Sequence, residues 1–386
     1  MRAAAYAVGL GCVFLLGAVP LSARAAEWSI SPTYSWSVDH DSNRRLEVDP
    51  TGSEAAQVIV DLRFRRALED TTISLEPKYT LRRFSAANLG NGDDRSVSAE
   101  VDRTWERSQF GLAASIFDQS TLTTELLETG ILRADTHQRL AQASGSWNWS
   151  LSERRQLFAQ LSYVDASYHG GVHNLLPGYR YSSGSVGELF VFAESGSLSV
   201  SAFGSALSSD AAGNSSHEIG LQAQLTYALS ERSHLVSSVG RSERLLSGAR
   251  SQGTDISVSL THDLALGTLA LSYSRNLVPY GVGFLVQRQQ LALSGTRHLT
   301  SFLDTTLSLV RVRNDELTVL LNIDRRSYDS LAAGLNWQPL ETWSLGLQLA
   351  AIRTQASGFF GASENVNEWR SALTLTWTPR PHTRSW

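Results

Sequence analysis

Residues 28–39 read Trp-Ser-Ile-Ser-Pro-Thr-Tyr-Ser-Trp-Ser-Val-Asp, and this stretch alternates between two kinds of side chain. Every even position is apolar or proline, and every odd position is polar. Successive side chains of a β-strand point to opposite faces, so a period of two predicts a strand with one apolar and one polar face.

The same alternation recurs as far as Trp377, and the segments are joined by connections of two lengths. The short turns are predicted at 65–71, 106–108, 151–155, 194–196, 229–233, 265–268, 300–302 and 340–343. The long polar loops are predicted at 39–56, 84–95, 118–139, 165–178, 208–216, 244–253, 276–285, 313–327 and 354–366. Eight short turns alternating with nine long loops predict 18 strands, with 16 as the alternative, and both termini at the short-turn end. Three of the strands, 179–193, 233–243 and 285–299, alternate less cleanly than the others.

The polar face distinguishes a membrane barrel from a soluble sandwich. It carries hydroxyl and amide side chains, as in Gln142, Ser144, Ser146 and Asn148, whereas a sandwich surface would carry many charges. Backbone groups in lipid must all be paired, and a closed sheet achieves this without an edge. The sequence therefore predicts an all-β fold, a transmembrane antiparallel up-and-down β-barrel in the outer membrane of a Gram-negative bacterium.

The first 25 residues have the pattern of a signal peptide. Arg2 precedes an apolar run over 3–21, and Ala23-Arg24-Ala25 supplies a small-x-small cleavage site. A membrane anchor is the alternative, but no basic cluster follows the run. We expect residues 1–25 to be removed and 26–386 to form the barrel, without a disulfide, because Cys12 is the one cysteine of the chain.

The charge balance limits the partners. Net charge is −4, and Lys78 is the one lysine, so nothing in the balance favours a nucleic-acid partner or a polybasic membrane contact. We expect contacts with outer-membrane lipid, with lipopolysaccharide and with the barrel-insertion machinery.

Charged residues are concentrated on the lumen-facing positions of strands two to four, where neighbouring strands place opposite signs within reach. This candidate lumen charge ladder consists of Asp61, Arg63, Arg65, Glu76, Lys78, Arg82, Glu100 and Asp102. It is either a salt-bridge lattice that stiffens one wall or a charged strip that selects solutes, and a ladder can do both.

Aromatic residues recur at the predicted short turns, as in the two Leu-Ser-Glu-Arg turns at 151–154 and 229–232. The candidate periplasmic aromatic girdle consists of Trp105, Trp149, Tyr227, Trp337 and Trp377. Phe117, Phe158 and Phe203 fall on lumen positions instead. They either form a track for sugar rings or fill space under an inward-folded loop. The long 118–139 loop is either such a lid or external.

Patterns for catalysis or metal binding are weak. Asp39-x-Asp41-x-Asn43 begins like a calcium loop, but Arg44 stands where glycine is required. His169 and His173 have a metal-pair spacing, but two glycines between them disfavour a helix. The chain has no nucleophile elbow, phosphate loop or His-Glu-x-x-His motif. We expect no enzyme activity, no metal and no cofactor.

The opening Ser31-Pro32-Thr33-Tyr34-Ser35-Trp36, the aromatic-x-Leu-Ser-Glu-Arg turns and the ending Leu373-Thr374-Leu375-Thr376-Trp377-Thr378-Pro379 carry a resemblance. The chain resembles the porin-like outer-membrane barrels associated with exopolysaccharide and PEP-CTERM sorting loci. The resemblance implies a link to polysaccharide export, with polysaccharide or export-system proteins as partners, and supplies no catalytic residues. One departure is that Pro379 and Pro381 interrupt the last strand, which leaves Trp377 or Trp386 as the insertion signal.

Three functions follow from these observations. The first is a channel that passes small solutes or assists polysaccharide export, because an 18-strand barrel is wide enough for an aqueous path. The second is a structural barrel whose loops bind surface polymer or partner proteins. The third is an embedded hydrolase, which the absence of motifs disfavours.

Overall fold

The computed structural model describes residues 26–46, 50, 52–86, 89, 92–122, 136–169, 176–210, 215–246, 249–280, 284–315, 326–357 and 363–385. The predicted signal peptide, 1–25, lies outside these residues. In the described ranges, no helix is both long enough and apolar enough to cross a membrane. The regular structure consists of long β-strands and one short strand at the end.

The strands are β1 Glu27–Asp41, β2 Ser53–Ala67, β3 Thr71–Phe84, β4 Gly92–Thr104, β5 Ser108–Ser120, β6 His137–Ser152, β7 Arg155–Tyr168, β8 Tyr179–Ala193, β9 Gly196–Ser209, β10 Ser215–Ser230, β11 Ser233–Leu246, β12 Ala249–Leu264, β13 Gly267–Tyr280, β14 Phe284–Thr300, β15 Leu303–Asp315, β16 Arg326–Leu340, β17 Trp343–Ser357, β18 Ser363–Trp377 and β19 His382–Ser385. The three less cleanly alternating segments are β8, β11 and β14, so their prediction as strands is confirmed.

From β1 to β18 each strand pairs antiparallel with the next, and the sheet closes on itself. β1 pairs with β18 from Tyr34 opposite Trp377 to Asp41 opposite Arg370. A closed sheet leaves no unpaired edge, which is the condition for a sheet in hydrocarbon. The fold is an 18-strand antiparallel barrel, as the sequence predicts.

The nineteenth strand continues the eighteenth after a break. β18 ends at Trp377, residues 378–381 leave the ladder, and β19 resumes along β1 with His382 opposite Ile30. Pro379 and Pro381 lie in the break, where their missing N–H groups cost no ladder bond. The interruption is as predicted. Trp386 lies outside the described residues, so the choice of insertion signal stays open.

The two faces of the sheet differ as the alternation predicts. Leu161 and Ile219 are exposed to 70% and 69% on the outer face. Inward positions of distant strands, such as Asp102 on β4 and Asp255 on β12, border one shared cavity. The apolar face therefore surrounds the barrel, and the polar face lines its lumen.

The eight short turns are confirmed, but the strands run farther into all nine predicted long loops than the sequence indicates, and they leave the shortest connections in two of them. In 244–253, β11 runs to Leu246 and β12 begins at Ala249; in 276–285, β13 runs to Tyr280 and β14 begins at Phe284. Around 244–253 most outward residues are no longer apolar, as with Glu243 opposite Gln252, so the side chains cease to alternate. The pattern therefore stops before the hydrogen-bonded ladder does.

Candidate functional site

The end of the β13–β14 hairpin leaves the barrel wall. β12 follows β11 as far as Ala249, yet its pairing with β13 stops at Ile256 opposite Arg275. On the other side, β14 pairs with β15 only from Gln287 onward. Residues 276–280 and 284–286, defined here as the hairpin tip, thus pair only within the β13–β14 hairpin.

The hairpin tip folds into the lumen. Its Leu277 and Leu285 pack in one buried cluster with Ala166, Tyr179 and Leu207 of β7, β8 and β9. Four strands, β10 to β13, separate β9 from β14 around the wall, so the contact between β14 and β9 places the tip on the lumen side of these strands. Burial of these apolar side chains holds the tip in place.

The sequence predicts a long polar loop at 276–285, and 118–139 as either a lid or an external loop. The missed signal is the apolar content of the tip, where Leu277, Val278, Leu285 and Val286 flank a short connection. Most of 118–139 lies outside the described residues, so its role as a lid remains a prediction.

A cavity of about 600 Å³ lies under the hairpin tip, bordered by Asn276 and Leu277. Hydroxyl groups line it, among them those of Ser162, Ser183 and Tyr181. Its carboxylates are Glu100, Asp102, Glu218 and Asp255, and no lysine or arginine is among the described residues that line it. Such a lining accepts hydrogen bonds from the hydroxyl or ammonium groups of a small solute.

The negative charges of two of these carboxylates are balanced by an arginine that does not line the cavity. Arg244, with 1% of its surface exposed, places Nε 2.7 Å from Glu218 and Nη2 2.6 Å from Asp255. The Ser242 hydroxyl also donates to Glu218 at 2.7 Å. Buried charges require such partners. In the described ranges Glu100 and Asp102 form no ion pair, so they leave the cavity with a net negative charge.

The structure places the predicted ladder on the neighbouring strands β2, β3 and β4. Arg63 binds Glu76 at 2.6 Å, and Asp61 lies opposite Lys78. Arg82 instead contacts Gln57 at 2.9 Å and Asp94 at 3.5 Å. Glu100 and Asp102 face the cavity. The ladder is therefore partly an ion-pair lattice, and its role in selectivity remains a prediction.

A second ion-pair cluster lies on β1, β18 and the residues after β1. The buried Asp41 accepts hydrogen bonds from Arg370 at 3.1 Å, and Arg370 also contacts Glu368 at 2.8 Å. Arg44 lies 2.6 Å from Asp39 and 4.0 Å from Asp41. The two aspartates of the calcium-like stretch are thus engaged by guanidinium groups. The partner of His169 in the second candidate metal pair, His173, lies outside the described residues.

Two of the lumen phenylalanines lie directly opposite glycines. Phe158 pairs with Gly187, and Phe203 pairs with Gly220. A Cβ atom on Gly220 would stand 2.7 Å from the Phe203 ring. Each ring therefore lies against the wall in the space that glycine leaves, which keeps the lumen open. Phe117 lies opposite Ser96 and Leu140.

The predicted girdle residues lie at the short-turn end. Trp105, Trp149, Tyr227 and Trp337 are exposed on the outer face. Trp377 stacks on Tyr34 and Trp343, at 5.3 and 5.9 Å between ring centroids. The placement suits a membrane interface, although their role as a girdle remains a prediction.

The fold is similar to that of solved proteins, although no known family pattern and no curated sequence matches the chain. The crystal structure of Pseudomonas aeruginosa OpdQ superposes with a TM-score of 0.51 at 12% identity, covering 92% of this chain and 99% of that one. Acinetobacter baumannii OccAB3 gives 0.51 at 9% identity, with 91% and 99% covered. P. aeruginosa OccK7 (OpdD) gives 0.51 at 12% identity, with 92% and 99% covered. At such identities the similarity establishes the barrel fold.

Proposed function

We propose that the protein is an outer-membrane channel of a Gram-negative bacterium that passes small polar solutes. The hairpin tip folded into the lumen is the observation that carries this proposal. It narrows a wide hydrated barrel to a restricted path beside a polar cavity, and such a narrowing lets a pore discriminate among solutes. The structural similarity to OpdQ and the Occ proteins, which are outer-membrane channels, supports the same function.

The cavity favours a class of solute. Its free carboxylates, Glu100 and Asp102, attract cations, and its hydroxyl groups suit hydrogen-bonding solutes. We therefore infer that neutral or cationic small molecules pass more readily than anions of equal size. Polysaccharide export, by contrast, rests on the sequence resemblance alone.

Planar-bilayer recording of the purified protein tests the proposal. The wild type is expected to give stepwise conductance. Replacing Leu277 and Leu285 by serine should raise the conductance, because the hairpin tip loses the apolar contacts that hold it against β9. Leu245→Ser is the control, since Leu245 is exposed on the outer face at the same end of the barrel.

Absence of conductance in a correctly folded wild type would contradict the channel and favour a docking barrel. Equal conductance of the double variant and the wild type would show that the hairpin tip does not restrict the path. A gain for Leu245→Ser as large as that of the double variant would attribute the effect to general loosening of the barrel end.

A further inference from the structure

The outer surface of β14 to β18 carries a row of polar residues directly above a row of apolar ones. Cross-strand pairing aligns the polar row at one height on β15 to β18, and its members are Arg311, Asp329, Arg353 and Asn367. Leu291 of β14 lies at the same height. One step toward the short-turn end, pairing aligns Leu293, Leu309, Leu331, Ala351 and Trp369. On the four adjacent strands β15 to β18, the outward residues thus change from apolar to polar between one outward position and the next. On β14 the residue at the height of the polar row is the apolar Leu291.

The height of this boundary fits the edge of the membrane. Trp337, a residue of the short-turn end, lies opposite Leu303, and Arg311 follows Leu303 by eight positions on β15. At about 3.3 Å per residue, Leu303 and Arg311 are about 26 Å apart along the strand, or about 20 Å along the barrel axis at a tilt of about 40°. An apolar band of about this height crosses the hydrocarbon, so the polar row lies at headgroup level on the long-loop side.

The polar row has an excess of positive charge. Arg311 contacts Asp329 at 3.5 Å, and both side chains are more than half exposed. Arg353 is exposed and forms no ion pair with the described residues, and Arg313, two residues farther out on β15, is also exposed. This part of the outer surface thus carries three arginines and one aspartate, although the net charge of the protein is −4.

A depression of about 770 Å³ joins the two rows. Arg311 and Arg353 line its polar end, and Leu309 and Leu331 line its apolar end. The small side chain of Ala351 leaves room between Leu331 and Trp369, and Trp369 is exposed to 68%. A ligand that fills this surface must carry both anionic groups and hydrocarbon chains.

We propose that this face, defined by Arg311, Arg353, Trp369 and the leucine row, binds a phosphorylated, multiply acylated lipid of the outer leaflet, of the lipid A type. The guanidinium groups of Arg311 and Arg353 donate to phosphate oxygens, a pairing that their planar fork favours. The acyl chains lie along the leucines, and the Trp369 ring lies at the boundary. The inference rests on the proposed outer-membrane location.

Native mass spectrometry of the delipidated protein in detergent tests the site, with three added lipids: diphosphorylated lipid A, the same lipid without phosphates, and phosphatidylethanolamine. The wild type is expected to retain the diphosphorylated lipid preferentially. Changing Arg311 and Arg353 together to glutamine should lower its occupancy about tenfold or more, since two basic contacts are lost. Arg250→Gln is the matched control, because Arg250 is an outward arginine at the long-loop end of β12 and lies outside the proposed face.

Equal retention of lipid A by the double variant, equal retention of the dephosphorylated lipid, or a second copy of the chain bound in place of lipid would each overturn the site. Heat-modifiable migration on gels verifies that every variant is a folded barrel. Conductance of the same preparations separates the two proposals. A conducting protein that retains no lipid A removes the lipid site alone, whereas a lipid-binding protein without conductance removes the channel alone.

Discussion

At the scale of single residues, the face to which a side chain points determines what it can do. Arg65 and Arg66 are neighbours on β2 with opposite orientations. Arg65 belongs to the lumen ladder, opposite Ser74, while the guanidinium of Arg66 lies 5.1 Å from the Trp28 ring on the outer face. Two identical side chains on adjacent residues therefore face the lumen and the outer surface of the barrel.

This pair permits a direct test of the lumen assignment. Arg65→Gln should shift the cation-to-anion permeability ratio toward cations about twofold, because a unit charge at about 8 Å in salt solution changes an ion's energy by a few tenths of a kcal/mol. Arg66→Gln should leave the ratio unchanged. Reversal potentials in a salt gradient measure both variants. An equal shift for the two would show that side-chain orientation on β2 is not as described.

At the scale of strands, prolines show which pairings the sheet can do without. Pro32 on β1 faces the break between β18 and β19, and Pro77 on β3 lies where the β2–β3 register has no paired residues. Both satisfy the apolar phase of the alternation, so the sequence indicates strands through them. The alternation gives no sign of the gaps, because these depend on which strand lies alongside.

The sequence predicts the strands well for a related reason. Lipid on one side and water on the other impose the period of two, as in Leu345, Leu347 and Leu349, and the short turns follow from its interruptions. The hairpin tip and the Glu218–Arg244–Asp255 cluster could not be predicted in this way. The hairpin tip contacts strands whose distance around the barrel has no trace in the local pattern. The cluster lies on neighbouring strands, but Arg244, directly opposite Glu218, falls within the predicted 244–253 loop.

The short β19 strand offers a prediction at this scale. Truncation after Trp377 removes the partners of Glu27 to Ile30 on one side of β1. The loss of about four backbone hydrogen bonds should destabilise the barrel by roughly 2–4 kcal/mol, because each contributes about 1 kcal/mol net. Chain refolded in detergent separates this effect from any loss of an insertion signal.

The measurement is the temperature at which the truncated barrel loses its compact migration on gels, compared with the full chain. Changing His382 and Thr383 to alanine serves as the control, since their side chains are exposed and the backbone ladder persists. A truncated barrel as heat-resistant as the full chain would mean that β19 contributes nothing to closure.

At the scale of the whole molecule, one seam makes the sheet a barrel. β1 and β18 are separated by nearly the full length of the chain, and their eight-residue register joins the two ends. Within the described residues, the β1–β19 pairing extends this seam, and no further pairing closes the sheet. Every strand therefore depends on this contact, because an open edge in hydrocarbon would leave backbone groups unpaired.

A proline in the seam should prevent closure. Ser37 pairs with Thr374 on one side and Gln57 on the other, so Ser37→Pro removes a ladder hydrogen bond to one neighbour and costs about 3 kcal/mol or more. Ser37→Ala keeps the backbone donor and should fold normally. The fraction of refolded protein that migrates as a compact barrel before boiling measures the difference. Pro32 is tolerated in the same strand because β1 has no partner there on the β18 side; normal closure of Ser37→Pro would show that the seam, too, needs no continuous ladder.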